Sequence, residues 1–231
     1  MFSYYGSKSK IINLYPSPKH GKVIEPFAGS ARYALKYFDR QVLLVDKYSV
    51  LVEVWHYLQQ ASEADILGLP KPAIGDDLRN YTQLSEIEKK FMGYLVQKSQ
   101  GKPANTVTYF SAFHDSKRDV RQQIAKQLYK IRHWVIRCGS YLEIENDEAT
   151  WFIDPPYQVG GDKYHERKID FQALGEWCKA RNGQAIVCEN TKANWLPFYP
   201  MCEMSGAYTT PTEAIWSNYR HDFQAVQSSL F

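Results

Sequence analysis

The stretch "KVIEPFAGSARYALKYFDRQVLLVD" (Lys22–Asp46) decides the fold. Its first residues form a short apolar run that ends in Glu25 and meets Pro26, which reads as a strand running into a Pro/Gly turn. "ARYALKYF" follows with helix-compatible spacing, and "QVLLVDKY" (Gln41–Tyr48) is a second buried strand that again ends in an acid. The amphipathic "SVLVEVWHYLQQ" comes next. Strand, helix, strand, helix in this order is a βαβ pattern, so an α/β domain with a parallel sheet is expected.

Further along, "TWFID" (Thr150–Asp154) reads as a strand, "DFQALGEWCKARN" as a helix starting near Asp170, and "GQAIVCEN" as another buried strand. "EAIWSNY" (Glu213–Tyr219) reads as a last strand or hairpin arm. Between these halves the composition shifts. "GLPKPAIGDD" is linker-like, "LSEIEKKFMGYLVQ" (Leu84–Gln97) reads as a helix, "KSQGKPANTV" as a polar loop and "RDVRQQIAKQLYKIRHWVIR" (Arg118–Arg137) as one long basic helix. The expected organisation is a catalytic domain from 1–60 and 131–231 with a small, mostly helical insert at 61–130. No internal repeat or low-complexity tract is present.

The 231 residues are 44% hydrophobic and 23% charged, as in a water-exposed globular protein that buries a substantial core. A formal charge of +3 does not by itself imply nucleic acid, but its distribution is uneven. From Lys89 to Arg137 there are eleven basic residues against Asp115 and Asp119 only, an excess of nine, so the rest of the chain is net acidic. Two readings are open: a solvated helix face, or a phosphate-contacting surface with Tyr109, Phe110 and Phe113 interleaved. The second assigns DNA contacts to Lys98, Lys102, Lys117, Arg118 and Arg121.

No apolar run approaches membrane-spanning length, and "MFSYYGSKSK" lacks the apolar core of a secretion signal, which points to the cytoplasm. Cys138, Cys178, Cys188 and Cys202 have no C-x-x-C spacing; they read as ordinary buried thiols of a reducing compartment, and no metal is expected.

Glu25 and Gly29 end the first strand unit, and Asp46 follows seventeen residues beyond the glycine. In a nucleotide-binding βαβ unit the glycine admits the cofactor to the backbone and the later acid bonds ribose hydroxyls. "GSARYA" lacks the further glycines that receive a pyrophosphate. A cofactor with an adenosine but no phosphates has no need of them, and S-adenosylmethionine is such a molecule; a plain α/β turn is the alternative.

"DPPY" (Asp154–Tyr157) follows directly on an apolar strand, and Pro155 and Pro156 end that strand and stiffen the next peptide groups. An exocyclic amine whose lone pair is delocalised into a ring attacks a methyl group poorly until its two hydrogens are held. The Asp154 carboxylate and the Pro155 carbonyl, immobilised by Pro156, are two suitable acceptors, and Tyr157 offers a flat face for the ring. Rate then comes from orientation and from stabilising charge on the attacked nitrogen.

These residues resemble the DNA adenine methyltransferases with a D-P-P-Y motif, in particular the Dam-like group, over roughly residues 1–60 and 131–231. "YYGSKSK" resembles the family's N-terminal Y-x-G-G-K element, "EPFAGSA" its F-x-G-x-G cofactor loop, "LLVD" its ribose acid, and a basic insert then precedes "DPPY". The resemblance implies a Rossmann-like methyltransferase sheet and S-adenosylmethionine as cofactor. It implies a pocket lined by Tyr4, Tyr5, Gly6, Ser7, Lys8, Glu25, Phe27, Ala28, Gly29, Asp46 and Tyr141. Its substrate would be double-stranded DNA with the target adenine flipped out, in a monomeric bacterial or phage-encoded enzyme of the restriction-modification type. Lys8 is also placed near the target. Four departures stand out: Ser7 for the second glycine, Ala31 for the last loop glycine, Ser140–Tyr141 for an Asp-aromatic pair, and no N-G-L-x-R-x-N hairpin signature. Recognition of GATC is therefore not implied. Another amine, in RNA adenine, DNA cytosine or a protein glutamine, and a catalytically silent DNA binder remain as rivals. The terminal "QSSLF" resembles bacterial sliding-clamp peptides, which would use Gln227, Leu230 and Phe231.

Overall fold

The computed structural model describes residues 1–2, 4–97, 101–114, 119–161, 168–203 and 212–219. The first βαβ unit forms as read: β1 (Lys22–Glu25), α1 (Arg32–Lys36), β2 (Gln41–Asp46) and α2 (Ser49–Gln60). α3 (Glu63–Gly68), α4 (Glu86–Gly93) and α5 (Val120–Ala125) follow. Then come β3 (Val135–Cys138), β4 (Ala149–Ile153), α6 (Phe171–Lys179), β5 (Gly183–Asn190), β6 (Tyr199–Glu203) and β7 (Thr212–Ser217). The expected α/β class holds.

The seven strands run in the order β3-β2-β1-β4-β5-β7-β6. The first five are mutually parallel, while β7 is inserted antiparallel between β5 and β6. This is a doubly wound Rossmann-like sheet whose chain path reverses between β1 and β4, and such a reversal opens a crevice at the carboxyl ends of those strands. Both faces are buried, so the strands alternate between two cores. Val23, Leu44, Phe152 and Ile186 pack with Leu51, Val54, Trp55 and Leu58 of α2 on one face. Ile24, Leu43, Trp151 and Val187 pack with Leu174 and Cys178 of α6 on the other. Ile66 of α3 and Phe91 and Met92 of α4 join the first core, so these helices are continuous with that layer.

The helix expected over Arg118–Arg137 is not one helix. It breaks into α5, a 3-10 turn at Leu128–Ile131 and the strand β3. Val120, Ile124, Leu128 and Ile131 are buried at helical spacing, whereas Trp134 and Ile136 are buried at strand spacing. The period therefore changes at Trp134. Pairing with β2 rewards the β-branched Val135 and Ile136, and Gln59 at the end of α2 donates to the carbonyls of Ile131 and Trp134, holding the turn.

The helix read over Leu84–Gln97 ends early, at Gly93. A side chain there would collide with Pro103 Cβ at 2.6 Å, and Ala104 N–H caps the Gly93 carbonyl at 3.0 Å. At its start, Ser85 and Glu88 form a capping box. α3 and β6 had no counterpart in the sequence reading. Cys138, expected to be buried, is exposed because β3 is the sheet edge, while Cys178 and Cys188 are buried and Cys202 is partly covered. Among the described residues no helix is long and apolar enough to cross a membrane.

Candidate active site

A cavity of ≈ 350 Å³ lies at the carboxyl ends of β1, β2 and β4, within the range of small-molecule sites. All eleven residues placed in the cofactor pocket line it, and Asp154 and Pro156 stand on the same wall. Tyr157 does not line it.

The N-terminal segment is tied to the loop after β1 through Ser7. Its hydroxyl receives Ser30 Oγ at 3.0 Å and Arg32 Nε at 3.1 Å, while Arg32 Nη2 donates to Phe2 O at 2.6 Å. The serine that departs from the resembled glycine thus has a structural task. Gly29 and Ala31 both adopt φ 46°. For alanine this left-handed backbone costs ~1–2 kcal/mol. Burying its methyl returns ~0.8 kcal/mol and offsets part of that cost.

Asp46 ends β2 with its carboxylate held by Gly29 N–H at 3.2 Å and Tyr48 N–H at 2.9 Å. Trp55 Nε1 donates to Gly29 O at 3.0 Å, anchoring the loop to α2. Phe27 and Tyr141, with ring centroids 5.4 Å apart, form an aromatic wall. Glu25 is buried and accepts Ala34 N–H at 2.6 Å; burial drives its carboxyl well above the usual range. The residues fit S-adenosylmethionine: a fixed carboxylate for a vicinal diol and an aromatic wall for a base.

Asp154 caps β4 beside Lys8, with Nζ 2.8 Å from Oδ1. Burial raises its carboxyl to about 6; the Lys8 ammonium opposes that rise and Glu213 adds to it. Lys8 Nζ also lies 3.5 Å from Glu213 Oε1 and donates to Gly6 O at 3.1 Å. Tyr157 turns inward: its ring lies under Lys8, 4.7 Å from Nζ to centroid, and its hydroxyl donates to Glu213 at 2.5 Å. The same carboxylate accepts the Tyr15 hydroxyl at 2.6 Å.

The loop beyond the motif is held by Glu189, which accepts Gln158 N–H at 2.5 Å and Asn190 N–H at 3.0 Å. Burial lifts Glu189 to about 7, with these two N–H groups opposing. Tyr5 donates its hydroxyl to Gly160 O at 3.1 Å. Glu213, Glu189 and Tyr15 were invisible to sequence reasoning, since each acts through long-range pairing. Acids within the apolar runs "EAIWS" and "AIVCEN" were the available signal.

The basic run is dispersed. Arg121 pairs with Asp119 at 2.7 Å and donates to the carbonyls of Leu67 and Leu69, so it is committed to the fold. Arg132 is likewise bound to Gln59 and Ala61 carbonyls, and Lys130 sits over Phe38. Lys102 is exposed, as are Tyr109 and Phe110; Phe113 packs partly against the core. Lys98, Lys117 and Arg118, and the tail residues Gln227, Leu230 and Phe231, lie outside the described residues.

No known family model matches the chain, and no curated protein matches it in sequence. Among solved structures it is similar to the Escherichia coli protein yhhF, provisionally named a methyltransferase, at TM-score 0.35 and 10% identity over 90% of this chain and 78% of that one. So loose a superposition carries no argument, and the fold assignment rests on strand order.

Proposed function

We propose that this chain transfers a methyl group from S-adenosylmethionine to the exocyclic N6 amine of an adenine in DNA, with the target base flipped out of the duplex. The observation that carries the reading is the joining, in one crevice at the sheet's reversal point, of Asp46, Gly29 and Asp154. The cofactor supplies the methyl group as a sulfonium electrophile. Asp46 holds its ribose, and Phe27 and Tyr141 face its base. Asp154 and the Pro155 carbonyl accept the two hydrogens of the target amine, directing its lone pair; the gain is orientation and charge stabilisation. Tyr157 braces Lys8 and Glu213. The insert at 61–130 contacts DNA, with exposed Lys102, Tyr109 and Phe110 available for phosphate and base stacking. The tail ending in Leu230 and Phe231 is proposed as a sliding-clamp peptide.

The test is genome sequencing with modified-base detection in a methylation-deficient bacterial host expressing the intact chain or Asp154→Ala. Methylated adenine in one short motif, lost in the variant while the protein stays folded, is expected. Equal marking by both refutes the role of Asp154.

One observation favours a second reading: Lys8 already occupies Asp154, as a silent DNA-binding protein would tolerate. Calorimetry with S-adenosylmethionine separates the two, because a silent binder has no need of the cofactor.

A further inference from the structure

Lys8 is enclosed by more acid than one ammonium neutralises. The Lys8 and Glu213 side chains are only 4% and 5% exposed, with Asp154 on one side of Nζ at 2.8 Å and Glu213 on the other at 3.5 Å. Glu213 reaches this point from β7, where its backbone pairs with Asn190 of β5. The Tyr15 and Tyr157 hydroxyls both donate to its Oε1 and fix it there.

This arrangement addresses a conflict within the proposed methyl-transfer reading. Asp154 must accept a hydrogen of the target amine, yet Lys8 holds it. Removing one partner of a buried pair normally leaves the other charge uncompensated. An ammonium has three hydrogens to donate, so a second carboxylate within 3.5 Å lets Lys8 leave Asp154 without being stranded.

We propose that Glu213 is a positioning residue that takes over Lys8 when the target amine enters, freeing Asp154 to accept that amine's hydrogen. The inference rests on the methyl-transfer reading. The groups acting on Asp154 are Lys8 from the N-terminal segment and Glu213 from β7. Asp154 in turn acts on Glu25 of β1, on Cys188 and Glu189 of β5, and on Tyr15 and Tyr157.

Glu213→Gln removes the charge but keeps an oxygen for the two phenols. Carbon-13 carboxyl NMR, with Asp154 assigned through Asp154→Asn, reads the coupling without turnover. The Asp154 midpoint falls in Glu213→Gln, which loses a like charge, and rises in Lys8→Met, which loses the cation. In steady-state kinetics on a duplex bearing the motif marked in the genome, Glu213→Gln raises KM about tenfold, with cofactor affinity unchanged. In a Lys8→Met background the same substitution leaves KM unmoved. A merely structural brace acts equally in both backgrounds, and that result overturns the inference. Should Glu213→Gln fail to fold, an Asp154 midpoint unmoved by Lys8→Met overturns it instead. A wild type that neither binds cofactor nor marks DNA refutes the methyl-transfer reading, and the exchange with it. Methylation by a wild type whose Asp154 ignores Glu213 overturns this inference alone.

Discussion

Asp154 directly follows β4 with a carboxyl raised to about 6 by burial, whereas the hydrogen-accepting role proposed for it requires the ionised form. The acid limb of kcat/KM is therefore expected near pH 6, with activity falling about tenfold per pH unit below it. A pH–rate profile checks this; a limb near 4, the ordinary carboxylate value, contradicts the buried environment. At this scale the residue types were legible. Asp46 and Asp154 each follow an apolar run and lie where a strand's carboxyl end was read. The orientation of Tyr157 was not legible. A tyrosine after two prolines is compatible with a ring facing the cavity or turned inward, and it is Glu213, 56 residues on, that takes its hydroxyl.

The motif loop is the element on which the geometry depends. It is pinned at Gln158 by Glu189, at Val159 by Asn190 Nδ2 and at Gly160 by Tyr5. Gly161 closes it so tightly that an added Cβ would overlap the Tyr157 carbonyl oxygen and approach Tyr157 N at 3.1 Å. Gly161→Ala must therefore shift the loop. The expected result is a stability loss of about 1–3 kcal/mol from overpacking, together with a kcat/KM loss of about a hundredfold from misplaced acceptors. Thermal melting and steady-state kinetics check both; full activity shows that the loop needs no such precision. One element boundary was readable at a capping residue: Asp170 opens α6 by accepting Ala173 N–H. The stretch after Ala125 was misread because helical spacing continues through Ile131, past the end of α5.

Over the whole molecule, buried acids and acids paired with arginine pull stability in opposite directions with pH. Asp154 and Glu189 are raised to about 6 and about 7 by burial, and burial raises Glu25 well above its ordinary value as well. Between their unfolded values near 4 and these folded values the native state binds more protons, so stability falls as pH rises. Asp119, bonded by Arg121, and Asp77, bonded by Arg79, are lowered. They add stability above the unfolded value and lose it as pH falls toward their folded values. Maximum stability is thus expected between about pH 4 and 6, below the range where Asp154 is fully ionised. Melting temperature across pH 3–9 tests this, with Glu189→Gln flattening the neutral side; a maximum at pH 8 contradicts it. What the sequence determined by itself is what local pattern encodes: the alternation of strand and helix, the acids at strand ends, and the helix start near Asp170. These depend on periods of two or 3.6 residues and on turn chemistry within a few positions. Only the tertiary structure decided that β7 enters antiparallel beside β5, bringing Glu213 to Lys8 and Tyr157, and that β3 begins where a helical period ends. Pairing across distant residues is selected by burial and ladder hydrogen bonds summed over the whole sheet, and no local period records it.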